Sequence, residues 1–318
     1  MTSMRMIKYI ATLLLCLSVQ SFAQNISVGT GGTGGVYYPM GGGLASILSK
    51  YVSGMSATAE VTGGSVDNLN LIGTGKPYVG FTMADAAFDA IQGTGKFTNR
   101  KTEIRNLLVL YPNRMHVVTV ESTGIKTIKD IKGKRISTGS PGSATEVMAL
   151  RVLEAAGLEK GRDYQNERLS VAESVNAIKD RKIDAFFWVG GLPTAGVTDL
   201  ANSPGNKIVM IDNDAEVAAM NKKYGNLYYT DVIPKSMYSG MQKDNKVSAV
   251  ANMLVVNATM PDDQAYKIVK AIFDHQKELV ATHTEYSNVN LASQKLVNSS
   301  VPFHPGAIKY LKEQGVKF

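Results

Sequence analysis

The chemistry on offer in this sequence sits in hydroxyls and glycines. Three short stretches concentrate them: residues 30–38 (TGGTGGVYY), 63–68 (GGSVDN) and 140–145 (SPGSAT). Each precedes a segment with helical apolar spacing. The first turn of a helix carries unpaired N–H groups and partial positive charge, and glycine lets a ligand reach the backbone. Such loops can hold an anion without a cationic side chain. Ordinary turns and caps use the same residues. Three junctions of one type nevertheless favour a composite anion site.

The candidate residues follow from these loops. Thr33, Gly34 and Gly35 are expected as donors, with Tyr37 as an aromatic wall. Ser140, Ser143 and Thr145 form a second group, with Gly142 allowing close approach, and Ser65 and Asn68 form a third. Met83, Asp85, Val189 and Gly190 stand at strand ends and would line the same cleft. Asp85 and Glu146 are the acids placed to pair with a ligand amine, although either also favours its own helix start. Trp188 fits a lid or a core position, with core preferred.

Other chemistries find little support. Gly29, Gly31 and Gly34 fit G-x-G-x-x-G after a strand, the pattern of a dinucleotide-dependent oxidoreductase. The acid expected about 20 residues later is missing, because residues 50–56 contain none and Glu60 comes too late. His116, His275, His283 and His304 are dispersed, with no HExxH and no Gly-x-Ser-x-Gly. The single cysteine, Cys16, falls in an N-terminal apolar run. No catalytic residue, metal site or cofactor is therefore expected. The formal net charge of +7 is scattered, without an arginine-rich block, so nucleic acid is not an expected partner.

The elements that must position these loops alternate strand and helix. Residues 26–28, 58–62 and 78–82 read as strands, with helices after Pro39, from Ser65 and near Asp85. The helical face after Pro39 comprises Met40, Leu44, Ile47, Leu48 and Tyr51, and Ser65 is placed to cap its helix. Residues 107–111 and 115–120 read as two strands joined at Pro112-Asn113. A second series has strands at 135–138, 183–189 and 207–211, with helices at 146–156, 173–179 and 214–224. Residues 247–259 are long, apolar and β-branched. Pro261 then starts a helix with a stripe of Ala265, Ile268, Val269, Ile272 and Phe273. Such alternation argues for parallel sheets covered by helices. Two of the loops fall in the first series and one in the second, so a ligand between the series would touch both.

The N-terminus carries an export pattern. Arg5 and Lys8 precede an apolar run at 10–19, and Ser21-Phe22-Ala23 resembles a cleavage site. Residues 1–23 are expected to be a signal peptide, leaving Gln24 first and the protein in the periplasm.

The motifs VGTGGTGGVYYPMGGGLA, VTGGSVDNLNLI, STGSPGSATEVMALRVLEAAGL, KIDAFFWVGGLPT and VPFHPGAIKYL together resemble the TAXI family of solute-binding proteins, which serve TRAP transporters. The resemblance spans the chain after the leader, in order. It implies an α/β, two-lobed periplasmic solute-binding protein of type II-like architecture with crossing hinge strands. The lobes would comprise residues 24–116 plus 252–318, and 117–251. It implies a monomer that closes on a small carboxylate, glutamate, glutamine or 2-oxoglutarate being family ligands. The ligand would pass to TRAP membrane permease subunits driven by an ion gradient. Classical TRAP receptors clamp the carboxylate with arginine. None lies in the three loops, so backbone N–H groups and hydroxyls are expected to hold it. A receptor reporting to a membrane sensor would look the same.

Overall fold

The structure is a computed structural model that describes residues 24–76 and 78–318. The expected signal peptide, its cleavage site and Cys16 lie outside the described residues. The first series gives β1 (Gln24–Gly29), α1 (Tyr37–Tyr51), β2 (Met55–Glu60), α2 (Ser65–Gly73), β3 (Tyr78–Met83) and α3 (Ala84–Gln92). A long strand, β4 (Ile104–Val120), leads to β5 (Arg135–Ser137), α4 (Ala144–Ala155), β6 (Gln165–Glu167), α5 (Val171–Lys179), β7 (Ala185–Gly190), α6 (Ala195–Ala201), β8 (Ile208–Met210), α7 (Val217–Tyr224) and β9 (Tyr228–Ile233). The chain returns along β10 (Asn245–Asn257) into α8 (Asp262–Asp274), α9 (Gln276–Thr282) and α10 (Pro305–Glu313).

The ten strands hydrogen-bond in one mixed sheet, in the order β2-β1-β3-β10-β4-β7-β5-β6, with β8 on β4 and β9 on β10. The parallel expectation holds within each half. β1 pairs in parallel with β2 and β3, and β5 with β6 and β7. The middle is antiparallel. β10 pairs with β9 through Asn245 to Val250, and with β3 through Asn252 to Val256. β4 pairs with β7 and β8 over its second half. These two strands cross between the halves, giving two lobes. Apolar clusters lie under both, one around Ile26, Leu44 and Ile268 and another around Val171, Phe186 and Leu200.

Several expectations are corrected. β4 is one strand rather than two, and it runs straight through Pro112. Pro112 sits opposite Ala251, where the register slips between Ala251 and Met253. A residue without an N–H is tolerated at such an irregularity. Ser65 does not cap α2: Gly64, at φ 119°, holds the cap position, and the Ser65 hydroxyl instead accepts from Met83 N at 3.2 Å. Tyr51 leaves the buried face of α1 to stack on the His275 ring, 3.6 Å between centroids. The alternating pattern also missed β6, β9, α9 and α10. Residues 165–167 (QNE) and 228–233 (YYTDVI) lack a continuous apolar run.

Candidate ligand site

The starts of four helices converge on one cavity of about 330 Å³ between the lobes. α1 and α2 contribute from the first lobe through Val36, Tyr37 and Ser65, while α4 and α5 contribute from the second through Ala144, Thr145, Val171 and Ala172. The N–H groups of Ala144, Thr145, Val171 and Ala172 have no acceptor among the described residues. Four aligned dipole ends make this volume electropositive without a formal cation. Among the described residues, no lysine, arginine or histidine lines it, and the one lining acid is Glu173. That carboxylate is occupied by its own helix, accepting from Ser170 N at 2.8 Å in a capping box.

Of the residues singled out from the sequence, the cavity wall contains Thr33, Gly34, Gly35, Tyr37, Ser65, Met83, Ser140, Ser143, Thr145, Val189 and Gly190. Thr33 is exposed, at the rim. The Tyr37 ring stacks on Phe81 at 5.2 Å, and its hydroxyl donates to Asn252 Oδ1 at 3.1 Å. Burial pushes that phenol up to about 12, against hydrogen bonds from Ser65 and Asn113 that lower it. Ser143 caps α4, accepting from Glu146 N at 3.1 Å while donating to Ser140 O at 2.7 Å. Ser140 donates across the lobes to Gly63 O at 3.1 Å. Thr145 accepts from Val189 N at 3.4 Å, which leaves its proton for a ligand.

Asn68, Gly142 and Asp85 lie outside the wall. The Asn68 amide bonds the carbonyls of Gly29, Thr30 and Phe81 within 3.1 Å and so ties β1 to β3. Gly142 adopts φ 77°, and its carbonyl accepts from Asp67 N of the first lobe at 3.1 Å. Asp85 is buried beside Arg151 and Tyr228. Glu146, the other acid considered for a ligand amine, bonds Lys96 and Arg168. Neither acid faces the cavity.

The structure adds elements the sequence reading passed over. The fourth helix start is one. Its signal was available in Ser170-x-x-Glu173, a capping box. Trp188 is another. It lines the cavity and donates from Nε1 to Thr194 Oγ1 at 2.9 Å. Its outer edge lies over Gly35 so closely that a Cβ there would meet Cη2 at 2.7 Å. The lobes are thus in contact around the cavity. Gly34 O accepts from Gly196 N at 3.2 Å. On another side, Glu285 accepts from Leu192 N at 2.6 Å.

Comparison with known proteins agrees with this architecture. Residues 28–315 match the NMT1-like family. The fold is similar to a binding protein component of an ABC phosphonate transporter from Pseudomonas aeruginosa, with TM-score 0.55 and 9% identity over 92% of this chain and 95% of that one. It is also similar to the alkanesulfonate-binding protein SsuA from Xanthomonas axonopodis pv. citri, bound to MOPS (TM-score 0.50, 16% identity, 91% and 83% covered). A putative L-cystine ABC transporter protein from Listeria monocytogenes gives TM-score 0.50 and 15% identity, with 84% and 98% covered. At such identities the likeness speaks to the fold, which is that of two-lobed periplasmic solute-binding proteins.

Proposed function

The chain belongs to the NMT1-like family, and from that premise we propose that it is a periplasmic solute receptor that closes on a small carboxylate. The observation that carries the reading is the convergence of four helix starts on one cavity that has no lysine or arginine among the described residues lining it. An anion there is held by N–H groups and by the hydroxyl of Thr145. The cavity's other walls, such as Met83, Trp188 and Val171, suit a short carbon skeleton. The lobes are taken to divide at 24–116 plus 252–318 and at 117–251. The export pattern at residues 1–23 supports the location. The protein acts as a monomer that binds without converting its ligand.

Within the 2-oxoglutarate and glutamate class, the keto acid is favoured. An α-ammonium needs acceptors, and Asp85, Glu146 and Glu173 are all engaged elsewhere. A ligand that binds only the folded form raises stability by about 2.7 kcal/mol at a hundredfold excess over Kd. Thermal-shift screening should therefore find 2-oxoglutarate, glutamate or a related acid. A shift with sugars or cationic amines alone would overturn the reading.

The carrier is proposed to be a TRAP permease, on the motifs quoted above. The ABC-type relatives in fold support a second reading, an ATP-driven carrier. Uptake into vesicles holding the cognate permease separates them: collapse of the ion gradient abolishes transport in the first case, and ATP depletion in the second.

A further inference from the structure

We propose that Arg151 locks the two lobes together by bridging two carboxylates of the first lobe, and so positions the start of α4 against the ligand. The guanidinium leaves the second lobe from α4, seven residues beyond Ala144, or about two helical turns. It is 8% exposed. Nη2 donates to Asp89 Oδ2 at 2.5 Å, and Nη1 donates to Tyr228 Oη at 2.7 Å and lies 3.6 Å from Asp85 Oδ2. The Tyr228 hydroxyl donates to the same Asp85 oxygen at 2.9 Å. Asp85 and Asp89 both stand on α3, directly after the cavity residue Met83. The cluster therefore joins the helix leaving one wall of the site to the helix entering the other.

The charge count makes this more than packing. Two buried carboxylates face one guanidinium. Burial raises the Asp85 carboxyl above its ordinary range, and Arg151 opposes that rise. The neighbouring charges are already matched: Glu154 binds Lys223 and Tyr224 of α7. Further along the seam Glu146 binds Lys96 and Arg168. The Tyr224 ring lies 4.3 Å under the guanidinium. Nothing else in this group can neutralise the pair. Removing one partner of a buried ion pair strands the other in low dielectric and costs far more than the pair contributed. Within one lobe that cost would be a loss of fold stability. Across the seam it is relieved when the lobes separate and water reaches the acids.

The test uses small-angle scattering of the unliganded full chain, with Trp188 emission as a second readout because its indole sits on Gly35 of the opposite lobe. Wild type should be compact. Arg151→Met should expand the particle and shift the emission to the red, with an unchanged far-ultraviolet dichroism spectrum. Combining Arg151→Met with Asp85→Asn and Asp89→Asn removes every stranded charge and should return both readouts towards wild type. Asp85→Asn with Asp89→Asn strands the Arg151 guanidinium instead, should also expand the particle, and serves if Arg151→Met does not fold. Wild type as expanded as Arg151→Met, or a neutral triple variant as expanded as the single one, overturns the proposal. This part does not depend on the ligand. The remaining part rests on the receptor reading: 2-oxoglutarate should bind Arg151→Met roughly a hundredfold more weakly. If scattering behaves as stated but 2-oxoglutarate binds no form, the lock stands and the keto-acid reading fails.

Discussion

Replacing Gly35 by alanine separates closure from folding. The backbone at Gly35 is not in the left-handed region, since it is absent from the positive-φ glycines among the described residues, so alanine introduces no local strain. Its Cβ would nevertheless lie 2.7 Å from Trp188 Cη2 and 3.0 Å from Cζ2. The indole cannot simply retreat. Nε1 is fixed to Thr194 Oγ1 at 2.9 Å, and a Cβ built on Gly190, beneath the same ring, would fall 2.6 Å from that nitrogen. Forcing a methyl into such a site costs about 1–3 kcal/mol. Because Gly35 and Trp188 belong to different lobes, the cost falls on the closed form. Ligand affinity should drop roughly fivefold to 150-fold, and the unliganded particle, compact in the wild type, should expand with an unchanged far-ultraviolet dichroism spectrum. Titration calorimetry with the acid found by screening measures the first quantity, and small-angle scattering with dichroism the second. Trimming the indole should relieve the clash, so Gly35→Ala with Trp188→Phe should bind better than additivity of the two single changes predicts. Wild-type affinity in Gly35→Ala would refute the reasoning, and so would strict additivity.

The two hydroxyls at the start of α4 should behave differently. Ser143→Ala removes a cap and should cost about 1 kcal/mol of stability with little change in affinity, whereas Thr145→Ala should weaken an anion by roughly 1.5–3 kcal/mol, as calorimetry would register. Gly142→Ala should harm both folding and binding, visible as a lower melting temperature and a raised Kd: φ is 77° and the new Cβ would lie 2.2 Å from Asp67 Oδ1. His116 should make stability depend on acidity. Burial lowers its pKa to about 4, its ring bonding Arg114 O and Tyr238 Oη. The unfolded chain binds the proton first, so stability should fall as pH drops from about 6.5 to 4, by up to roughly 3 kcal/mol. Denaturant titrations should show that loss, and His116→Gln should flatten it.

The alternation of strands and helices was legible where a strand is an apolar run, as in β7, and a helix has a stripe such as Met40, Leu44, Ile47 and Leu48; β6, reading QNE, has no such run. The crossing was less so. Pro112 argues locally for a break, and only the slipped register opposite Ala251 lets the strand continue. Loop chemistry pointed to most of the cavity wall because glycine and hydroxyl clusters at helix starts are local features. The acids were misjudged for the opposite reason. Asp85 and Glu146 stand where an isolated helix would welcome them, but their partners Arg151 and Arg168 come from distant sequence. Asn68 likewise looks like a ligand donor until the three carbonyls around it are known.

The crossing of β4 and β10 also dictates when each half of the molecule can be completed. From β5 to β9 the second half is one uninterrupted stretch of chain. The first half waits for its far end: Asn106 N bonds Pro302 O at 2.8 Å, and Val109 N bonds Gln294 Oε1 at 2.9 Å across 185 residues. Contacts so distant in sequence are slow to form. A chain made from its N-terminus would hold a second half whose β9 still lacks its partner, beside an open-edged β2-β1-β3 ribbon, until β10 arrived to pair with both β9 and β3. Pulsed hydrogen exchange during refolding should find the amides of the β3–β10 ladder protected last, so the seam that gathers the binding site is also the final event of its own assembly.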